Sequence, residues 1–313
     1  MCKYLGLFTV SLSILLFAFG CDKQEPEAVE SPRSDSREVN TVEQTTEVPR
    51  KDIKKGDYFH DKCSYIFSTF VNEDGLVDYK GLKRKKVRLR ALLSDFDELD
   101  HKEYDRWSRH DQIAFWINAY NVQMLDIITS NYPIKASRLL LPFPGYGPDS
   151  IKHIKGIWDE KKFIVMDEEF TLADIYRRFF REEFGEPKVI FALSLASISS
   201  PPLRNEPYYG HKLNEQLDEQ VKRVLSDRNK FKIDKKGKKV YLPGILTPSW
   251  YGKDFVSKYG TVKKYKDKTP TERAVLNFVA NYLNSKRKNF LETKQYSVKY
   301  IKHNWNINDN SKR

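Results

Sequence analysis

The fold is decided by the stretch Asp111–Tyr132, which reads DQIAFWINAYNVQMLDIITSNY. Its apolar residues follow helical spacing but surround most of the helix instead of forming one stripe. They are Ile113, Phe115, Trp116, Ile117, Tyr120, Met124, Leu125, Ile127 and Ile128. A helix that is apolar on nearly every side lies in the interior of a domain. The pair Tyr132-Pro133 ends it, because a residue before proline is disfavoured in the helical conformation.

Shorter elements are predicted on both sides of this central helix. Helical periodicity predicts helices at Tyr58–Phe70, Gly81–Asp97, Leu172–Phe184 (capped by Thr171), Leu213–Leu225 and Thr271–Leu283, the last of which closes the helical part. Strand patterns occur in Lys162–Phe170, on both sides of Lys236-Gly237, and at Tyr296–Ile301. The run Val189–Leu195 fits either a strand or a buried helix. The predicted fold class is α+β. Residues 58–308 are predicted to form a single mixed, helix-rich domain that contains a small antiparallel sheet.

Composition indicates the chemistry of the partners. The 313 residues include 55 basic and 43 acidic side chains, a formal net charge of +12, which favours anionic lipid, glycan or nucleic acid. The run KRKKVRLR at Lys83–Arg90 resembles a nucleic-acid patch, but Val87 and Leu89 alternate with its charges as on a solvated helix face. Because the N-terminus predicts export, no nucleic-acid partner is expected.

Residues 1–20 are typical of a signal peptide. The apolar run Tyr4–Phe19 has the length of a signal core and is short for a membrane span. Cys21 follows Gly20 as in a bacterial lipoprotein, so we predict lipidation at Cys21 and attachment to the membrane through that lipid. Secretion with a free Cys21 is the alternative. The predicted location is the bacterial cell envelope, with inner or outer membrane left open.

The rest of the chain outside the domain is polar. Residues 22–57 contain no aromatic side chain and predict a disordered tether, and residues 309–313 are predicted to form a polar tail. Cys63 is predicted to have no disulfide partner, because Cys2 falls in the predicted signal peptide and Cys21 is the predicted lipidation site. His60 and Cys63 have the spacing of two metal ligands, but without further ligands core packing is the favoured interpretation of Cys63. No metal is predicted, and no Gly-rich phosphate loop or dinucleotide motif indicates a cofactor.

The segment Phe191–Gly210, FALSLASISSPPLRNEPYYG, places small hydroxyl groups at a rigid turn. Ser197, Ser199 and Ser200 precede the Pro-Pro pair, and Arg204 and Glu206 follow it closely. Glu206 is interpreted first as a partner of Arg204 or a backbone anchor, and second as an acid.

Two amides on the central helix are also candidates. Asn118 and Asn121 are three residues apart and therefore lie on one face. Buried amides need hydrogen-bond partners. They bond the backbone near the Pro-Pro turn, or they line a pocket, and both interpretations stay open here.

Several of these segments recur in one order in a known family. They are Glu73–Tyr79 (EDGLVDY), Phe115–Asn121 (FWINAYN) and Ser200–Glu206 (SPPLRNE), with Trp158-Asp159, Thr171–Ile175, Trp250-Tyr251, Asp254-Phe255, Trp305 and Asn308. From residue 58 to residue 308 the chain resembles the domain-of-unknown-function 547 family. The resemblance implies a cysteine before the Pro-Pro pair and a histidine in the helix that Thr171 opens. Those positions hold Ser200 and Arg177.

This double replacement favours binding over catalysis. A serine depends on a general base, and a guanidinium stays protonated at physiological pH. We therefore predict a catalytically degenerate pocket in which Arg177, Arg204 and the turn serines bind an anionic small molecule, lipid or glycan. The first alternative is an active serine hydrolase or transferase that uses Ser200 with a histidine from elsewhere, such as His153 or His211. The second is a basic adhesion protein without a pocket.

Overall fold

The computed structural model describes residues 55–135 and 146–312. All of them lie in the second of two units of the chain, Arg50–Arg313. The predicted signal peptide, Cys21 and nearly all of the predicted tether lie outside the described residues. Within the described ranges, every helix is too short or too polar to cross a membrane.

Helices make up most of the described chain. The α-helices are α1 (Lys55–Asp61), α2 (Ser64–Phe70), α3 (Tyr79–Arg84), α4 (Lys86–Asp97), α5 (His101–Tyr104), α6 (Arg109–Ser130), α7 (Leu172–Ile175), α8 (Leu213–Ser226), α9 (Asp254–Tyr259), α10 (Pro270–Ala280) and α11 (Ser285–Thr293). Short 3-10 helices occupy Ile151–His153, Pro187–Phe191, Gly210–Lys212, Gly244–Leu246 and Asn310–Lys312, and π-helices occupy Tyr176–Glu183 and Pro248–Gly252.

Two small sheets complete the fold. The strands are β1 (Phe163–Val165), β2 (Glu168–Phe170), β3 (Lys232–Asp234), β4 (Lys239–Leu242) and β5 (Ser297–Tyr300). β1 and β2 form an antiparallel hairpin, and β4 pairs antiparallel with β3 and parallel with β5. The helix-rich α+β class is confirmed, although the parallel pairing of β5 was not foreseen.

Helix α6 is the centre of the first hydrophobic core. The N–H of Asp111 donates to Ser108 Oγ at 3.2 Å, and this cap starts the helix two residues earlier than predicted. Trp116 is fully buried, stacks on Phe179 with ring centroids 3.6 Å apart, and donates to Tyr104 at 2.8 Å. The prediction that this helix lies in the interior is confirmed.

A second core surrounds α10 and the three-stranded sheet. Thr269 and Glu272 form a capping box that starts α10, and the inward face of α10 buries Val275, Phe278 and Val279. The expectation that this helix closes the helical part was wrong, because α11 follows it. Helix α11 has only Leu291 fully buried, so its sequence carries little apolar periodicity.

The segment between the two cores differs most from expectation. Both the predicted hairpin and the Thr171 cap are present, with Met166 and Asp167 at positive φ in the turn. The helix that follows α7 continues as a π-helix. The run Val189–Leu195 is neither strand nor α-helix: it begins in the 3-10 helix Pro187–Phe191 and ends in turns.

The C-terminal segment returns to the middle of the chain after β5. Isolated bridges join Ser197 to Ile307 and Ser150 to Asn306. The N–H of Ile198 donates to Asn306 O at 2.9 Å. Residues more than 100 positions apart in sequence are therefore held together at the candidate site.

Candidate functional site

The serine-rich turn before the Pro-Pro pair is closed by its own hydroxyl groups. The N–H of Leu195 donates to Ser200 Oγ at 2.6 Å, and the N–H of Ala196 donates to Ser194 Oγ at 3.1 Å. These bonds hold Ala196 at φ 51°, a conformation that costs free energy for any residue except glycine. Ser200 is only 2% exposed. Its hydroxyl therefore serves the backbone and is not open to a substrate.

The two asparagines of α6 hold the ends of this segment. The Asn118 amide donates to Tyr208 O at 2.9 Å and accepts from Tyr208 N–H at 2.9 Å. The Asn121 amide donates to Ala192 O at 2.9 Å and accepts from Ser194 N–H at 2.8 Å. Of the two interpretations left open above, backbone bonding is the one that these contacts support, since each amide uses its oxygen and one N–H on the chain itself.

Arg204 is balanced by carboxylates of the same region. Its guanidinium donates to Glu219 Oε2 at 2.9 Å and also to Glu206, and its side chain is 11% exposed. Burial alone would raise the pKa of Glu206, but hydrogen bonds from Arg204 and Gln216 lower it. Glu206 is thus the ion-pair partner of Arg204, the first of its two interpretations.

Arg177 lies in the π-helix after α7 and faces solvent. Its Nη2 donates to Asp174 Oδ1 at 2.8 Å, and 64% of the side chain is exposed. None of the hydrogen bonds or ion pairs of the described residues links Arg177 or Arg204 to Ser200. The predicted anion site between the two guanidinium groups and the turn serines is therefore not among these contacts.

An imidazole does reach the serine-rich turn, at a different serine. Ser197 Oγ lies 2.8 Å from His303 Nε2. The N–H of Asn304 donates to Ser199 Oγ at 2.9 Å and holds the histidine in place. Burial, with the charges of Lys152 and Lys230, lowers the pKa of His303 to about 4. The imidazole is therefore neutral at pH 7.

Sequence reasoning did not find this pair. His153 Nε2 lies 2.9 Å from Gly147 O, and His211 Nδ1 lies 2.9 Å from the Asp57 carboxylate, so both histidines favoured for Ser200 have other partners. Ser197 and His303 are 106 residues apart and meet only because the C-terminal segment pairs with the turn. No local sequence signal carries that information.

The Ser197–His303 pair is closed to solvent on the serine side. Ser197 is 2% exposed and is not among the residues that line the four cavities described in this section. His303, in contrast, lines two of them. The pair thus orients the imidazole toward a cavity without offering the serine hydroxyl to a ligand.

The two cavities beside His303 adjoin each other and have volumes of about 480 Å³ and 300 Å³. They share Tyr146, Lys302, His303 and Trp305, and we call them together the aromatic–basic groove. Its other lining residues in the described chain are Gly147, Lys152, Gly244, Thr247, Trp250, Tyr300, Ile301, Asn304 and Asn306. None of these side chains is acidic.

The groove lies where the two cores meet. Trp305 packs against the first core, whereas Trp250 and Tyr300 pack against the second. The family resemblance stated from the sequence includes Trp250 and Trp305 among its segments, but Lys152, Lys302 and His303 carried no such signal.

Two further cavities are less suited to an anion. One of about 520 Å³ beside the turn has charges of both signs, Asp74 and Asp227 with Arg223, Lys230 and Lys302. One of about 360 Å³ lies at the π-helix around Asp254, which is already paired with Arg181 at 2.8 Å. In both, the chain supplies the opposite charges itself.

His60 and Cys63 are both fully buried. Burial raises the pKa of the Cys63 thiol and lowers the pKa of His60 to about 4. No group of three or more His, Cys, Asp or Glu side chains within the described ranges has the geometry to hold a metal ion. Core packing is therefore the interpretation of Cys63 that the contacts support.

A family model matches the part of the chain that contains the serine-rich turn. Residues 104–225 match the model of the family DUF547, whose description is a protein of unknown function. The match begins at the end of α5, ends within α8, and includes Asn118, Asn121 and Ser200 in the turn. The groove draws Lys152 from the DUF547 match and Trp250 and His303 from the chain beyond it. No curated protein and no solved structure matches the chain.

Proposed function

We propose that this chain is a lipid-anchored protein of the bacterial cell envelope that binds an anionic ligand and does not use Ser200 as a nucleophile. The observation that carries the proposal is the hydrogen bond from Leu195 N–H to Ser200 Oγ at 2.6 Å. A serine nucleophile must present its oxygen to substrate and transfer its proton to a base. Ser200 is buried, and Arg177, at the position where the resemblance implies a histidine, is exposed and paired with Asp174.

Charge supports an anionic ligand. The chain carries 55 basic against 43 acidic residues, and most of the run Lys83–Arg90 is exposed on α3 and α4. An excess of this size attracts anionic surfaces and raises the rate of encounter with anionic molecules. The envelope assignment is supported by the signal-like residues 1–20 and by Cys21 directly after them.

A serine hydrolase is the second candidate, and Ser197 is its nucleophile. Ser197 Oγ and His303 Nε2 are 2.8 Å apart, within the range for a nucleophile and its general base. Against this candidate, Ser197 is buried, and a general base works best with a pKa near the working pH, whereas the pKa of His303 is about 4. Binding is therefore the better supported function.

A fluorophosphonate probe, which labels activated serines, distinguishes these candidates. We expect no labelling of the full chain purified in detergent. Labelling that is lost in Ser200→Ala but kept in Ser199→Ala would overturn the proposal. Labelling lost in Ser197→Ala would establish the hydrolase candidate instead. Ser199 is a matched control, because its hydroxyl also accepts from a backbone N–H in the same turn.

Metabolic labelling with palmitate tests the anchor. We expect the label on the wild-type chain and its loss in Cys21→Ser, while Cys2→Ser keeps it because Cys2 leaves with the signal peptide. Equal labelling of wild type and Cys21→Ser would show that the lipid, if any, is attached elsewhere.

A further inference from the structure

Lys152 is the unusual charge of the aromatic–basic groove. Its Nζ lies 4.4 Å from the ring centroid of Trp158 and 4.2 Å from that of Trp305, so the ammonium lies against two indoles that themselves meet edge to face. Within the described ranges, this ammonium has neither a hydrogen-bond acceptor nor a carboxylate partner. A partly buried lysine without a counter-charge is costly, since burial disfavours its charged form.

The surroundings of Lys152 are positive. Lys302 lines the same groove, and the charges of Lys152 and Lys230 both act on His303. None of the described lining side chains is acidic. An anion that enters the groove would therefore meet a positive potential that no carboxylate of the lining balances, in contrast to Arg204, which has two carboxylates.

The remaining lining suits a ring that carries hydroxyl groups. Tyr146 and Trp250 offer aromatic surface, on which the apolar C–H face of a sugar ring packs. Thr247, Asn304 and Asn306 offer hydroxyl and amide groups. A small number of polar groups within an aromatic lining is the usual composition of a small-molecule site, and the volume of about 480 Å³ is within the usual size.

We infer that the aromatic–basic groove binds an acidic sugar, whose carboxylate or phosphate lies against Lys152. This inference rests on the proposed anion-binding function and gives it a site and a ligand class. Lys152 supplies the counter-charge, His303 is a neutral hydrogen-bonding group oriented by Ser197, and the aromatic side chains pack on the sugar ring. The acid group can be a uronate or a sugar phosphate, which share the oxyanion.

Calorimetric titration of the full chain in detergent tests the inference. The probes are glucuronate, glucose 6-phosphate, glucose and inorganic phosphate. We expect at least one of the two acidic sugars to bind, and to bind about tenfold or more tightly than both glucose and inorganic phosphate, because charge and ring each contribute. Preference between the two acidic sugars identifies the oxyanion. Failure of both to bind at millimolar concentration, or binding of glucose or phosphate at equal strength, would overturn the inference.

Lys152→Met supplies the test of location, because methionine keeps an apolar stem against the two indoles and removes the charge. Lys155→Met is the matched control, since Lys155 is 90% exposed and its loss changes the net charge equally. We expect Lys152→Met to weaken acidic-sugar binding about tenfold and Lys155→Met to change it by less than about twofold. Thermal melting verifies that both variants fold.

Equal weakening by both substitutions would overturn the groove as the site, while the chain would still be an anion binder as proposed. Labelling of Ser200 by the fluorophosphonate probe would instead contradict the proposed function itself. The calorimetric titration would still show whether the acidic sugars bind. The two failures are therefore distinguishable.

Discussion

The Pro-Pro turn and the aromatic–basic groove are adjacent, yet they use polar side chains in opposite ways. In the turn, Asn118, Asn121 and Ser200 each bond to backbone groups of the chain at 2.6 to 2.9 Å. In the groove, Lys152 contacts aromatic rings and has no acceptor among the described residues. The Ser197–His303 hydrogen bond joins the two regions.

This difference in hydrogen bonding distinguishes side chains that stabilise the fold from side chains that are available to a ligand. A buried polar group whose donors and acceptors are satisfied within the chain stabilises the fold and has little left for a ligand. A charged group held in a cavity without a partner reduces stability and is available to a ligand. By this criterion, the motif-rich turn is structural, and the groove is the region that we propose as the binding site.

Asn118→Ala should produce the largest effect on stability. It leaves the N–H and the C=O of Tyr208 without partners in a buried region and opens a small cavity, so we expect a loss of about 3 kcal/mol in the free energy of unfolding. Urea denaturation of the full chain measures it. His110→Ala, at an exposed position of the same helix, should stay within about 0.5 kcal/mol. A loss below about 1 kcal/mol for Asn118→Ala would show that the turn is not held as described.

Much of the fold was predictable, because local patterns determine it. Helix α6 is recognisable from apolar residues around its circumference. The hairpins are recognisable from the alternation of apolar and polar residues on both sides of a turn. Helix α11 was missed because it buries one residue fully and so has little amphipathic signal. The run Val189–Leu195 could not be assigned, because Asn121, from a helix 70 residues earlier, satisfies its backbone groups.

The candidate site was predictable only in part. The sequence singled out Ser200 and the asparagines, but their hydrogen bonds, which decide their role, depend on tertiary contacts. The contact of Ser197 with His303 depends on the pairing of Ser197 with Ile307, which no periodicity encodes. Lys152 is one lysine among many in the sequence. Its position against the rings of Trp158 and Trp305 is what distinguishes it.

Ser200→Ala sharpens the comparison within the turn. The Leu195 N–H would lose its acceptor in a buried region, so we expect a loss of about 2 kcal/mol in the free energy of unfolding. Ser199→Ala removes a hydroxyl that also accepts from a backbone N–H, but the Asn304 N–H lies in an exposed residue and water can replace the bond. Its cost should be below about 1 kcal/mol. Equal melting temperatures for the two variants would mean that Ser200 has no special structural role.

Lys152→Met should have the smallest effect on stability, because the lost cation–π contacts, each about 1 kcal/mol, are offset by the removal of an unpaired, partly buried charge. The measurable effect of Lys152→Met is instead a change in the pKa of His303. Burial, and then the like charge of Lys152, lower the pKa of His303 to about 4, so removing that charge should raise the pKa.

The sign of the pH dependence follows from this shift. The unfolded chain binds a proton at His303 below its ordinary pKa of 6.5, whereas the folded chain binds it only near pH 4, so His303 costs stability as the pH falls between these values. Lys152→Met should raise the lower limit of this pH range, because it raises the pKa of His303 in the folded chain. Lys155→Met should leave the range unchanged. Titration of the His303 ring by NMR measures the shift directly. If the pKa of His303 were the same in Lys152→Met and wild type, the groove would lack the positive potential on which its preference for an anion depends.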